Sequence, residues 1–186
     1  MTAEPVQLQL AENALEDIIG TFTRHTMAAA GYKWNHLRHR IIDGPAGDGI
    51  AAERAACWLR MISIVEIFGE ALLRELDGDT ARPVPGSWSQ VTNFLKQRHY
   101  IDLHDIPGWD RLEACFLVRN AIAHGLGHFT AKQVEKGVPR KIRGAGVAVR
   151  DGMVVITAAS LASCADVCRR FITDLDAYPQ VGRRHG

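Results

Sequence analysis

No stretch of this 186-residue chain approaches the ~18 consecutive apolar residues that a membrane span requires. Cysteine is sparse: Cys57, Cys115, Cys164 and Cys168 show no paired C-x-x-C spacing, which argues against a zinc finger or ribbon. Charge is nearly balanced, at +1, so no global field draws in a polyanion, and a nucleic-acid partner would need a local basic patch. The serines lie outside any G-x-S-x-G context, and no glycine pattern follows a strand as a phosphate loop would demand. Internal repeats and low-complexity segments are absent. The opening MTAEPVQLQLAENALED carries acidic residues and lacks the basic-then-apolar layout of a secretory signal. A soluble, cytoplasmic protein with reduced thiols in its core is therefore expected.

What is present suits a globular domain. The hydrophobic share of 47% and charged share of 23% are ordinary, and the length suffices to bury a core. Apolar residues at Leu8, Leu10, Leu15, Ile18, Ile19 and Phe22 predict a helix from Val6 to about Ala30. A longer one is expected over Gly49 to Leu76, with Leu59, Ile62, Val65 or Glu66, Gly69, Leu72, Leu73 and Leu76 as its apolar stripe. Ser87 is a natural cap for a helix running to about Gln97, and another spans Trp109 to His124, stopped by Gly125 and Gly127. Two β-branched runs around Asp151-Gly152 predict a hairpin. A last helix begins after Thr157, with Ser160 as a candidate cap, and reaches about Tyr178. The expected fold class is all-α: a bundle of four to five helices with one small inserted hairpin.

The run ACFLVRNAIAHGLG is apolar except for Arg119, Asn120 and His124. Asn120 and His124 stand four apart and share a helix face. Arg119 points elsewhere, but its long side chain can swing toward the same end. Near a helix C-terminus the partial negative charge favours protonated imidazole. A cationic cluster with an amide beside it suits a phosphate group. The same residues admit a plainer reading, in which Arg119 pairs with Glu66 or Glu70 and His124 merely caps the helix.

RNAIAH resembles the R-N-x-x-x-H motif of HEPN-domain proteins. The order around it agrees: a long helix bearing a Glu on an apolar stripe (IVEIFGEALL), the motif helix, a hairpin, and a closing amphipathic helix. The resemblance covers roughly residues 49–178. It implies an up-and-down HEPN-like helical domain there. Residues 1–48 lie outside the resemblance and are expected as an N-terminal helical segment packed on the bundle, and residues 179–186 as a flexible tail. The resemblance also implies a metal-independent endoribonuclease, of a kind often found as toxins or antiviral effectors, in which two protomers pair their motif helices into one site. Arg119 would then stabilise charge on the scissile phosphate, His124 would act as general acid or base, and Asn120 would orient either. Glu66 is the first candidate to support Arg119, with Glu70, one turn away, as the alternative. By position alone, His128, four past His124 but beyond the glycine, is a further candidate for the same pocket. No cofactor or metal is implied. The implied partners are RNA, a second copy of the chain and a cognate antitoxin or other regulatory protein, with no membrane. Some members keep the fold without cleaving, so a non-catalytic module binding nucleotide or protein is the alternative.

Two further segments carry charge. AKQVEKGVPRKIRG holds Lys132, Lys136, Arg140, Lys141 and Arg143 against Glu135 alone, and reads as an RNA-backbone contact or as a solvated loop. GYKWNHLRHR interleaves Tyr32, Trp34, His36 and His39 with Lys33, Arg38 and Arg40, which suits base stacking or docking of the aromatics on the bundle. His36 and His39 have the spacing of a metal pair but lack a third ligand. His99 and His104 flank a turn and are expected at the surface.

Overall fold

The computed structural model describes residues 6–38, 46–78 and 85–182. Among them eight helices form, five of twelve residues or more, together with one small antiparallel sheet. The long helices are α1 (Val6–Arg38), α2 (Ala46–Asp77), α3 (Trp88–His99), α4 (Trp109–Gly125) and α7 (Ala158–Asp176). The short ones are α5 (Ala131–Glu135), α6 (Val138–Gly144) and α8 (Pro179–Gly182). The sheet pairs β1 (Ala148–Arg150) with β2 (Met153–Val155). The fold is mostly helical, and no helix among the described residues is long and apolar enough to cross a membrane.

α2 is the central element, packed on α1, α3, α4 and α7. Its position explains why its sequence is apolar on more than one face. Cys57, Trp58, Met61, Ile62, Ile64, Val65, Phe68, Leu72, Leu73 and Leu76 are all buried. The expected stripe therefore omits Cys57, Trp58, Met61, Ile64 and Phe68, and Leu59 is only half-buried. α7 obeys a single helical period: Leu161, Cys164, Cys168, Phe171, Ile172 and Leu175 are buried, and burying each large apolar side chain contributes roughly 1.5–3 kcal/mol. α1 presents Ala11, Ala14, Ile18 and Thr21 to the core, a three-four alternation whose small residues let it lie against α2 and α7. All four cysteines are free and buried.

Local chemistry fixes the boundaries. The Ser87 side chain accepts from the Gln90 amide and starts α3. α7 is started by Thr157, not Ser160; Ser160 is the reciprocal partner in a capping box. Asp151 (φ 49°) and Gly152 (φ 73°) make the hairpin turn with both central residues left-handed, as Asp-Gly favours. α1 continues eight residues beyond the expected end at Ala30, to Arg38. The segment from Thr130 is not a loop: a Thr130–Gln133 capping box starts α5, and buried Val138 and Ile142 anchor α6. Residues 179–182 are not a flexible tail: they form α8, which seats Val181 fully in the core.

Candidate functional site

Arg119 lies on α4 between buried Val118 and buried Ala121, so its backbone is held by the core while its side chain turns outward. It emerges into an open cleft of about 610 Å³ between α2, the start of α3 and α4. The stacked rings of Trp88 and Phe116, 4.8 Å apart and 15° from parallel, line this cleft. Ser63, Ser87 and Ser89 add hydroxyls to its wall. None of these five was singled out as a site residue in the sequence; only Ser87 carried a signal, and that was for a cap.

The guanidinium is held at two points. Nη2 donates to Glu66 Oε2 at 2.9 Å, and Nη1 donates to Asn120 Oδ1 at 3.1 Å. Both partners of the ion pair stay partly open, with 29% of the Arg119 and 19% of the Glu66 side chain exposed. Burial pushes the Glu66 carboxyl above its ordinary range; the Arg119 charge opposes this and Glu70 adds to it. Glu70 lines the same cleft but pairs with Arg74 at 3.6 Å. Of the two acids, Glu66 is thus the partner of Arg119.

His124 stands elsewhere. It is exposed in the last turn of α4, has no side-chain partner among the described residues, and is not part of the cleft wall. Four residues at 1.5 Å rise place it about 6 Å beyond Asn120 along the axis, on the same face. The helix is closed by Leu126 in the left-handed conformation (φ 50°), not by Gly125, which is still helical. His128 is also exposed, its amide donating to Gly125 O at 2.8 Å and its backbone bridged to Met153. The structure therefore gathers Glu66, Glu70, Arg119 and Asn120 into one cleft and leaves His124 and His128 outside it at the helix tip.

The basic residues are all exposed but sit on ordered helices. Lys132 belongs to α5, Lys136 caps it, and Arg140, Lys141 and Arg143 ride on α6, which packs on α4. Lys141 reaches Glu113 of α4 at 3.4 Å. His99 is not a surface group: its side chain is 7% exposed and its Nε2 lies 2.8 Å from Asp77 Oδ1, beside Arg98 on the other carboxylate oxygen. His104 is exposed, as expected, and pairs with Asp102. The readings of Tyr32, Lys33, Trp34, His36 and Arg38 concern side chains outside the described set, as do those of His39 and Arg40. Among the described residues no three His, Cys, Asp or Glu side chains converge in a metal-holding arrangement.

Comparison with family models, with curated proteins and with solved structures returns no match to this chain.

Proposed function

We propose that the protein is a metal-independent endoribonuclease of HEPN type, acting as a dimer in a toxin or antiviral setting. The observation that carries this reading is a partly exposed guanidinium at the mouth of an open cleft, with an unpaired imidazole five residues further along the same helix. Arg119 uses two of its nitrogens on Glu66 and Asn120. Its remaining N–H groups are free to meet a phosphodiester, held in a fixed plane by those two contacts. His124 takes the proton of the ribose 2′-hydroxyl as that oxygen attacks phosphorus. The bond from phosphorus to the 5′ oxygen breaks, leaving a 2′,3′-cyclic phosphate and, once protonated, a 5′-hydroxyl.

One imidazole cannot serve as base and acid in the same step, which is the chemical reason for a second copy. Leu126, 89% exposed beside His124, together with Met153, offers apolar surface for that contact. Incubation with mixed RNA in EDTA tests the reading. Wild type should cleave, and His124→Ala or Arg119→Ala should lose at least about 100-fold in rate. Cleavage unchanged in both variants, or no cleavage by wild type, overturns it.

A second reading is favoured by one feature: two carboxylates, Glu66 and Glu70, share the cleft with a single guanidinium that one of them already holds. In that reading the chain is a non-catalytic module for a nucleotide or protein partner, and Arg119→Ala changes partner binding without any cleavage to lose.

A further inference from the structure

A separate cavity of about 300 Å³ opens between the second half of α1, the first half of α2 and the start of α7. Its wall is mostly apolar, built by Phe22, Ala29, Ala158 and Leu161, and two nitrogen-bearing side chains, His25 and Arg54, interrupt it. Arg54 is poorly satisfied: Nη1 reaches the Ile156 carbonyl only at 3.4 Å, and Nε is shielded from water with no partner. His25 Nδ1 is likewise shielded and unpartnered. Atoms this shielded lie in the packed wall and do not open on the cavity. What lines the cavity is a guanidinium with one long hydrogen bond and no carboxylate partner among the described residues, a charge that apolar walls leave costly unless an anion meets it. Burial and the neighbouring Arg54 charge hold the imidazole below its ordinary range, so near neutral pH His25 is uncharged and Arg54 supplies the positive charge.

We propose that this cavity binds a small amphipathic monocarboxylate, its carboxylate on the Arg54 guanidinium beside His25 and its hydrocarbon body against Phe22, Ala29 and Leu161. The planar guanidinium edge matches a carboxylate in two parallel hydrogen bonds. A monoanion fits better than a phosphate dianion, because there is one full positive charge and Glu53 lies close enough to act on His25. The volume accommodates a body of about eight to ten heavy atoms. None of the cavity's lining residues belongs to the Arg119 cleft, so the proposal stands apart from the nuclease reading.

Calorimetric titration of the full chain with octanoate, and with neutral octanamide as control, tests it. Wild type should bind octanoate saturably at one site and octanamide at least about tenfold more weakly. Arg54→Gln should bring octanoate down to the octanamide level. Ala29→Trp, which fills the cavity from an already half-buried helix position, should abolish both while leaving the thermal transition cooperative. Absence of saturable octanoate binding, equal affinity for the two ligands, or octanoate binding that survives Ala29→Trp overturns the assignment.

Discussion

Arg119 shows how little a visible ion pair has to do with stability. Both partners are partly open to solvent, and pairs of this kind contribute about 0–1 kcal/mol. What the contact does fix is direction: Glu66 and Asn120 hold the guanidinium plane across the cleft mouth rather than letting it sweep through water. Glu66→Ala should therefore lower the melting temperature by no more than about 2–4 °C, the shift expected for roughly 1 kcal/mol in a chain of this size. Glu66→Gln, whose amide oxygen still accepts from Nη2, should stay near wild type. Thermal melts of the two variants decide this, and a drop beyond about 8 °C for Glu66→Ala would make the pair a structural prop instead. Leu126 is the other notable residue at this scale. It takes a left-handed backbone at a position where glycine is the common choice, and exposes nearly its whole side chain.

At the scale of elements, the contact of α2 with α3 depends on a residue with no side chain. A Cβ built on Gly69 would lie 2.7 Å from Trp88 Cζ3 and 3.4 Å from Val91 Cγ1. Alanine is favoured over glycine inside a helix by about 1 kcal/mol, but forcing a methyl into a filled space costs about 1–3 kcal/mol. Trp88 can yield only toward the open cleft, and doing so disturbs its stacking on Phe116 and its edge-on contact with Phe171. Gly69→Ala should consequently destabilise the fold, lowering the melting temperature by a few degrees and altering tryptophan emission as the ring shifts. A variant as stable as wild type would show that the ring moves freely.

The elements themselves divide by how local their causes are. The hairpin, the Ser87 cap and the long helices are legible in the sequence because Asp-Gly, a serine before a helix, and helical apolar spacing each act within a few residues. α5 and α6 are not, because their helical stretches are five and seven residues long, too short for a period to register over lysine-rich polar sequence. The burial of His99 is not legible for a different reason: its partner Asp77 is 22 residues away, at the end of another helix. The site divides in the same way. Arg119, Asn120 and His124 declare themselves within one short run. The choice between Glu66 and Glu70 does not, because residues four apart share a helix face and only the docking of α4 on α2 selects one.

At the scale of the whole molecule, one end of the bundle is rich in unmet acceptors. Glu75 is in the last turn of α2, Asp176 ends α7, and Gln180 follows on α8. Glu75 Oε2, Asp176 Oδ1 and Gln180 Oε1 are each buried without a hydrogen-bond donor. Two helix C-termini, with their partial negative charge, add to the same end. Burial pushes the Asp176 carboxyl above its ordinary range, and Glu75 and then Glu12 of α1 push it further. The folded chain therefore holds this proton more tightly than the unfolded chain does. Between the ordinary carboxylate range and the raised folded value, stability falls as pH rises, and the loss persists at neutral pH. Asp176→Asn removes the charge and supplies an N–H donor for the orphan oxygens around it. The variant should melt above wild type at pH 7, and the difference should close as pH falls to about 3, where the aspartate is protonated in either state. Melting curves across that range are the measurement. A gap of constant size, or a variant less stable at pH 7, would mean that Asp176 does not carry this strain and that α1, α2 and α7 meet there without electrostatic cost.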